Sequence, residues 1–385
     1  MAKRKLVIFE TTHHETLPAL LDLSELYFEN TVVFLPEATY ALICSGQLPE
    51  AVWPKTVFIR QGAGESNRGF ISKTISFIKE NGCTHLHIST LDSNFLFFTW
   101  KLLPLKRLQI SLSVQAVNEY CVYKFRDLRD LTESMAKIIL HRRIMHYRVF
   151  APLIVTFMQQ RLPRSKVVFL APRFFVPPPL REAATGPFRI VVPGSVDPNR
   201  RDYYYIHDFL VRYLPVLSGD REIRLVILGK SDTEYGREVI ARLLSLESAR
   251  FRLSYYPGVV PQAEYEAQLS AADLLWSPIR VSTVGIRKTA ETYGLSTSTG
   301  LTGDILLNCT PVLVPEGFAV PEYFEAAMPT YRSPEDLAAQ IAAFINDPAY
   351  VRDNRKRILH DLSFFVKGNF QKPFEELMDL DEANG

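Results

Sequence analysis

Short apolar runs rich in β-branched residues alternate with longer amphipathic segments along the whole chain. The short runs predict strands at 6–9, 31–35, 56–60, 85–89, 108–112, 167–170, 189–193, 224–228, 251–255, 274–277, 310–315 and 328–331. The longer segments, in which apolar residues recur every three or four positions, predict helices at 68–80, 131–143, 204–214, 235–246, 262–272 and 333–346. Repeated strand–helix–strand order is typical of an α/β protein with parallel sheets, whose ligands bind at the carboxyl ends of the strands.

A proline-rich stretch divides the chain into two parts of similar size. Residues 171–187 contain five prolines and cannot form a central helix or strand. We therefore predict a linker at 176–187 between two Rossmann-like, doubly wound domains at 1–175 and 188–348 that face each other across a cleft. The last segment, 349–385, has a helical pattern and is predicted to cross back to the N-terminal domain.

The composition is that of an ordinary globular protein. Hydrophobic residues make up 47% of the 385 positions and charged residues 22%, which leaves no compositional case for disorder. The four cysteines stand at positions 44, 83, 121 and 309, without the spacing of a metal site or of a disulfide framework. We therefore predict a cytoplasmic protein without a bound metal. No apolar run approaches the roughly 18 residues that a membrane span needs.

The formal net charge of +2 hides a strongly basic segment. Residues 101–182 contain 15 Lys and Arg against 5 Asp and Glu, and aromatic residues are interleaved with them. This composition suits binding to anionic lipid headgroups or to polyphosphate. From it we form the hypothesis that the protein makes peripheral contact with the inner membrane face. A solvated helix face that keeps the protein in solution is the other reading of the same pattern. The basic residues follow no recognisable nucleic-acid-binding motif, so we expect no nucleic-acid partner.

In the C-terminal half, glycines and basic residues follow the predicted strands. Gly194 ends the first strand of this half, and Arg200 and Arg201 come shortly after it. Lys230 and Gly258 follow the next two strands. A glycine lets a ligand approach the backbone closely, and arginine pairs with phosphate oxygens through two parallel hydrogen bonds. The pattern therefore predicts binding of a phosphate-containing ligand at these strand ends.

A loop rich in hydroxyl groups and glycines precedes an apolar segment further along the chain. Ser298, Thr299 and Gly300 come just before this segment, and Asp304 lies within it. Free N–H groups and the positive end of the helix dipole favour an anion at such a place. The loop is predicted to bind a diphosphate, together with Lys288 upstream.

The order of these motifs resembles the nucleotide-binding domain of GT-B glycosyltransferases, particularly the retaining family 4 type. In that family an acidic residue precedes a glycine-containing loop, and a second acidic residue opens the next helix seven positions before a Pro-Val strand start. Glu291 followed by Tyr293 and Gly294 is similar to the first acid and its loop, and Asp304 stands seven positions before Pro311. An insertion rich in Ser, Thr and Gly and the use of Asp as the second acid depart from the pattern. They indicate a divergent subgroup of bacterial polysaccharide type.

The resemblance implies a metal-independent glycosyltransferase with GT-B architecture and no bound cofactor. Its donor would be a UDP- or GDP-linked sugar, and its acceptor a hydroxyl group on a glycan or on a lipid-linked or protein-linked molecule, with retention of anomeric configuration. By analogy Glu291 lies near the donor sugar or its phosphates, and Asp304 reaches the ribose hydroxyls or caps its helix. The departing diphosphate needs positive charge, for which the candidates are Arg200, Arg201, Lys230 and Lys288.

Two further candidates follow predicted strands in the N-terminal half, which would bind the acceptor. His13 comes after the first strand, and Asp92 after the fourth. A histidine has an unperturbed pKa near 6.5 and is suited to orient or deprotonate a hydroxyl group. A surface histidine beside a capped helix is the alternative for His13.

Two other functions fit the same fold. A nucleotide-sugar epimerase would convert its substrate with no acceptor present, whereas a non-catalytic scaffold of a glycosylation complex would bind a partner and turn over nothing. Because both acidic positions and the glycines facing the phosphates are present, we expect an active transferase.

Overall fold

The N-terminal half forms a sheet of seven parallel strands in the order β3-β2-β1-β4-β5-β6-β7. The computed structural model describes residues 4–44, 49–91, 93–178, 186–217, 221–285 and 288–380. The strands are β1 (Lys5–Phe9), β2 (Asn30–Pro36), β3 (Thr56–Gln61), β4 (His85–Ile88), β5 (Gln109–Ser113), β6 (His146–Val149) and β7 (Lys166–Phe169). The helices are α1 (Leu17–Tyr27), α2 (Glu37–Ile43), α3 (Pro49–Val52), α4 (Asn67–Glu80), α5 (Phe95–Leu102), α6 (Val117–Cys121), α7 (Leu128–Arg143) and α8 (Pro152–Gln159).

The C-terminal half forms a second parallel sheet, of six strands in the order β10-β9-β8-β11-β14-β15, and a small antiparallel hairpin of β12 and β13. The strands are β8 (Phe188–Pro193), β9 (Ile223–Lys230), β10 (Phe251–Tyr256), β11 (Leu274–Trp276), β12 (Ser282–Val284), β13 (Ala290–Thr292), β14 (Val312–Pro315) and β15 (Thr330–Tyr331). The helices are α9 (Tyr203–Leu217), α10 (Glu234–Leu244), α11 (Gln262–Ala271), α12 (Leu301–Asn308), α13 (Pro334–Asn346), α14 (Pro348–Leu362) and α15 (Gln371–Met378). The predicted α/β class with two parallel sheets is confirmed.

The prediction missed β6, the hairpin and several helices. β6 lies between β5 and β7, and its buried Arg148 donates to the carbonyl oxygens of Leu170 (3.2 Å) and Ala171 (2.8 Å). An arginine in a strand of four residues hides the apolar pattern, although its guanidinium is satisfied by backbone groups. The bounds of the predicted linker stay a prediction, because residues 179–185 lie outside the described ranges.

Helices cover both faces of the N-terminal sheet. Phe70 of α4, Phe98 of α5 and Leu140 of α7 pack on one face in a core of their own. The other face belongs to a core cluster that also contains side chains of α11, α12, α14 and α15. The two halves of the chain therefore share one apolar core. None of the helices in the described ranges is long and apolar enough to cross a bilayer.

The C-terminal segment returns to the N-terminal sheet. Phe374 of α15 is fully buried, and its ring lies 5.6 Å from that of Tyr27 and 6.3 Å from that of Phe28. Arg4 donates a hydrogen bond to the carbonyl oxygen of Leu380 (3.1 Å). Burial of α15 thus links the C-terminal segment to the end of α1.

We expect Phe374→Ala to lower the free energy of unfolding by about 3–5 kcal/mol, because it leaves a cavity in the shared core. Phe125→Ala is the matched control, since the Phe125 ring is 63% exposed, and it should change stability by no more than about 0.5 kcal/mol. Urea denaturation followed by circular dichroism measures both. Equal stability of the two variants would contradict the packing of α15.

Candidate functional site

Each sheet has one point at which its strand order reverses. In the N-terminal sheet this point lies between β1 and β4, and in the C-terminal sheet between β8 and β11. Ligands of open parallel sheets bind in the crevice outside the carboxyl ends of the strands at this point. The loops that leave β1 and β8 therefore line the two crevices.

The loop after β8 brings Arg201 against Gly194. Gly194 has a φ of +99°, and a Cβ atom there would lie 2.6 Å from a terminal nitrogen of the Arg201 guanidinium. The positive φ favours glycine at this turn, and the absence of a side chain lets the Arg201 guanidinium pack against it without moving. Arg201 also forms a backbone bridge to Ile279, in the loop after β11. Arg201 therefore lies at the crevice between the two strands.

Asp304 lies on the first turn of α12 and pairs with Tyr265 of α11. The Tyr265 hydroxyl group donates to Oδ2 (3.2 Å) and Oδ1 (3.4 Å) of Asp304. Burial raises the pKa of this carboxyl to about 7, although the Tyr265 hydrogen bond and the charges of Arg173 and Arg201 oppose the rise. The charge of Glu15, from the loop after β1, acts on the same carboxyl. Polar groups of both halves thus meet in one cleft.

His13 lies in the loop after β1, which a buried carboxylate holds in place. Oε1 of the fully buried Glu10 accepts hydrogen bonds from the backbone N–H groups of Thr11 (2.7 Å), Thr12 (2.6 Å) and His13 (2.8 Å). Nδ1 of His13 lies 2.8 Å from Oε1 of Glu15. His13 therefore occupies the N-terminal crevice with a carboxylate as its partner.

Glu291 lies in a contact between the two halves. Its Oε1 accepts from the backbone N–H of Glu119 (3.0 Å), and its Oε2 accepts from the hydroxyl group of Ser296. The backbone N–H of Val117 also donates to the carbonyl oxygen of Ser296 (2.8 Å), so α6 is bonded to the loop after β13. Burial raises the pKa of Glu291 to about 7 against these hydrogen bonds. The role of Glu291 near a donor sugar stays a prediction.

The loop before α12 turns tightly and contacts the N-terminal half. Gly294 has a φ of +81°, and a Cβ atom there would lie 2.2 Å from the carbonyl oxygen of Ala319, so only glycine fits. The backbone N–H of Ser298 donates to the carbonyl oxygen of Gln115 (2.9 Å). The other candidates of this loop are the half-buried Tyr293 and Thr299 and the exposed Gly300, which precedes α12.

The remaining candidates lie at an exposed strand end, on exposed loops or outside the described residues. Lys230 pairs with Asp232 (3.0 Å), and Arg200 lies 3.8 Å from Asp197. Gly258 follows β10, at the edge of its sheet and two strands from the strand-order reversal. The exposed Lys288 accepts, at its carbonyl oxygen, a hydrogen bond from the Lys124 ammonium group (3.1 Å). Asp92 is not among the described residues.

The structure therefore gathers Gly194, Arg201 and Asp304 at the cleft, and it adds Glu15, Arg173 and Tyr265, which were not among the predicted site residues. Glu15 stands two positions after His13 and follows the same strand, which is a signal that could have found it. Tyr265 and Arg173 carry no comparable signal, because one lies on an amphipathic helix and the other in the proline-rich stretch. Within the described residues, no group of three or more His, Cys, Asp or Glu side chains is placed to hold a metal ion.

Comparison of the folded chain with solved structures identifies its architecture. No protein-family model and no curated protein matches the sequence. HepE from Anabaena in complex with UDP superposes with a TM-score of 0.63 at 13% identity, over 98% of this chain and 100% of that chain. Sucrose-phosphate synthase from Thermosynechococcus elongatus superposes with a TM-score of 0.60 at 13% identity, over 99% of this chain and 98% of that chain. An α,α-trehalose-phosphate synthase from Burkholderia vietnamiensis superposes with a TM-score of 0.58 at 10% identity, over 100% of both chains.

Such identities show the fold alone, and that fold is the GT-B architecture of glycosyltransferases. Its two parallel-sheet α/β units were predicted from the strand and helix pattern, and this prediction is confirmed.

The raised pKa of Glu291 predicts a pH-dependent loss of stability. The ordinary pKa of this side chain is 4.5, and in the folded chain it is about 7. At a pH between these two values, Glu291 is protonated in the folded chain and ionised in the unfolded chain. The free energy of unfolding of the wild type should therefore fall, relative to that of Glu291→Gln, as the pH rises through this window. Urea denaturation at pH 5 and pH 8 measures the difference. Glu325→Gln, at an exposed position, is the control, and a difference that does not change with pH would contradict the burial of Glu291.

Proposed function

We propose that the chain is a glycosyltransferase that moves a sugar from a nucleoside-diphosphate sugar to a hydroxyl group of an acceptor. One observation carries the proposal. In a GT-B fold, the facing crevices bring Arg201 and the Asp304–Tyr265 pair of one half into the same cleft as the His13–Glu15 pair of the other. A cation, a hydrogen-bond acceptor and a base are the groups that this transfer needs.

The C-terminal crevice binds the nucleoside diphosphate. Nε of Arg201 is buried and has no hydrogen-bond partner in the described part of the chain, so a phosphate oxygen supplies the acceptor that it lacks. Arg173 adds a second positive charge near Asp304. In the described residues the carboxylate of Asp304 accepts only from Tyr265, and its remaining lone pairs take the ribose hydroxyl groups.

The transfer itself exchanges one bond at the anomeric carbon for another. The bond from this carbon to the β-phosphate oxygen breaks, and the electron pair leaves with the diphosphate, whose charge Arg201 and Arg173 stabilise. The acceptor oxygen forms the new bond, and its proton passes to His13, which Glu15 orients. The arginines take the part that a metal ion has in other transferases. The nucleotide sugar is a substrate, and no resident cofactor takes part.

The finer assignments follow from the motif order and from the cysteines. The order of Glu291, its glycine loop and Asp304 supports a retaining enzyme of the family 4 type, with Glu291 towards the donor sugar, in the synthesis of a bacterial polysaccharide. The acceptor is a glycan or a lipid-linked or protein-linked molecule. UDP is the first nucleotide to test, because HepE was solved with UDP, and GDP is the second. The four free cysteines support a cytoplasmic location.

Nucleotide binding is the first test. We expect UDP or GDP to raise the melting temperature by several degrees, since a ligand at a hundred times its Kd adds about 2.7 kcal/mol. Arg201→Lys should weaken binding about tenfold, because lysine cannot form the paired hydrogen bonds of a guanidinium. The control is Arg212→Lys, on the exposed face of α9 beside Glu335. No response to UDP, GDP, ADP or CMP would contradict the donor site and favour the scaffold.

Transfer is the second test, with the donor that binding identifies and a panel of glycan acceptors. Asp304→Ala and Glu291→Gln should each lower the release of nucleoside diphosphate at least tenfold (about 1.4 kcal/mol or more) while the proteins stay folded. NMR of the product should show the anomeric configuration of the donor. Wild-type rates in both variants would contradict the proposed roles of Asp304 and Glu291. Conversion of the donor without an acceptor would identify an epimerase.

A further inference from the structure

Two helices of the N-terminal half, α5 and α7, lie side by side and run in the same direction. Midway along them, the hydroxyl group of Thr99 donates to the carbonyl oxygen of Ala136 (3.5 Å). At their carboxyl ends, Nη2 of Arg143 donates to the carbonyl oxygens of Leu105 (2.5 Å) and Leu108 (2.6 Å). Both helices bury their inner sides on the same face of the sheet. Their outer sides therefore form one continuous surface, which we call the two-helix face.

Large apolar side chains follow this face on both helices. They recur at helical spacing, and each is at least 39% exposed. They are Leu96 and Trp100 on α5, Leu103 directly after it, and Leu128, Leu131 and Met135 on α7. Residues at such spacing point in one direction, so they form stripes rather than scattered positions. The core does not need them, because Phe98, Leu102, Ala136 and Leu140 fill the inner positions. Contiguous exposed apolar surface of this kind marks an interaction site.

Basic residues surround the apolar stripes. Five of them are accessible and form no ion pair within the described part of the chain, and they are Lys101, Lys106, Arg107, Arg129 and Arg142. The nearby acids are engaged, since Asp130 pairs with Arg126 (2.8 Å) and Glu133 with Lys137 (3.2 Å). Not all of the basic segment contributes, because Arg148 is fully buried. The positive charge of the two-helix face is thus not neutralised by its own acids.

We propose that the two-helix face docks the protein on an anionic lipid surface. The apolar stripes enter the boundary between headgroups and acyl chains, and the surrounding Lys and Arg side chains reach the lipid phosphates with their charged ends. Trp100 is suited to this boundary, where its ring is buried and its N–H stays hydrated. The complementary charge favours anionic lipid over a neutral surface. This inference does not depend on the proposed transfer activity.

The same face lies beside a cavity in the N-terminal half. Ser93 and Asn94, directly before α5, line a cavity of about 210 Å³ at the carboxyl ends of the strands, together with Thr12, Gln61 and Asn67. Its lining combines amide and hydroxyl groups with apolar side chains, which suits a hydroxyl-rich group. Docking through α5 would bring the lipid surface next to this cavity. If the proposed function holds, a lipid-linked acceptor has the shortest path to it.

Vesicle flotation of the full-length protein tests the docking. We expect binding to vesicles of phosphatidylcholine with about one third phosphatidylglycerol at low salt, weaker binding at about 0.5 M salt, and far less binding to phosphatidylcholine alone. Trp100 is 62% exposed whereas Trp53 and Trp276 are buried, so the tryptophan emission should shift to the blue on binding. Trp100→Phe should abolish this shift. Equal binding to neutral and anionic vesicles, or none at low salt, would overturn the proposal.

Two pairs of matched variants locate the docking surface. The double variant Lys106→Gln/Arg107→Gln should lower the partition coefficient of the protein onto anionic vesicles at least tenfold. Each positive charge near an anionic surface contributes about fivefold to this coefficient. The control removes the same residue types at exposed positions of α14, with Lys356→Gln and Arg357→Gln. The partition coefficient of this control should stay within about twofold of the wild-type value. Equal losses of vesicle binding in the two double variants would contradict docking through the two-helix face.

The apolar stripe has its own pair of variants. Trp100→Ser with Leu128→Ser should lower binding at least tenfold, while Val216→Ser with Val259→Ser, at positions 72% and 76% exposed in the C-terminal half, should leave it unchanged. All four positions are exposed, so melting temperatures should stay close to that of the wild type. The assay contains no nucleotide, and its outcome is therefore separate from that of the donor site. Wild-type binding by Trp100→Ser with Leu128→Ser would overturn the proposal.

Discussion

The apolar core that both halves share holds the two crevices opposite each other. It contains Leu20 and Phe28 of the N-terminal half, Ile305 of α12, and Phe365 and Phe374 of the C-terminal segment. Separation of the halves would expose these side chains to water, and the cost of exposing apolar area grows with that area. Hydrogen bonds between the halves add to this packing, among them those from the backbone N–H groups of Val117 and Ser298 to the carbonyl oxygens of Ser296 and Gln115. The apolar packing, which lies away from the site, and these hydrogen bonds together position the chemistry.

The buried or partly buried carboxylates of Glu10, Glu291 and Asp304 differ in how many hydrogen bonds they accept from the rest of the protein. Glu10 accepts three backbone N–H groups with one oxygen, and Glu291 accepts one N–H and one hydroxyl group, whereas in the described residues Asp304 accepts only the Tyr265 hydroxyl group. A carboxylate with many internal donors is held as part of the structure, and one with few keeps lone pairs for a ligand. Glu10 therefore shapes the loop after β1 through Oε1, although its buried Oε2 has no partner in the described part of the chain. Asp304 keeps lone pairs on both oxygens beside Tyr265.

Some elements were predictable because their neighbours in sequence determine them. The apolar strands and most amphipathic helices belong to this group, since a core-facing side repeats at two or about 3.6 residues. α5 was missed because it is apolar on nearly every side, with Trp100 exposed and Phe98 buried. The hairpin of β12 and β13 was missed because each strand has three residues and β12 is largely exposed.

The sequence by itself determined the α/β class, the two sheets and the glycines at strand ends, because these depend on periodicity and on local backbone geometry. Only the tertiary structure decided which strand ends adjoin. The strand order places the loops after β1 and β8 at the two crevices, and packing of the halves brings Glu15 near Asp304 and Tyr265. These residues are far apart in the chain, and no local pattern encodes their approach. It follows from long-range burial of apolar surface, which only the folded chain contains.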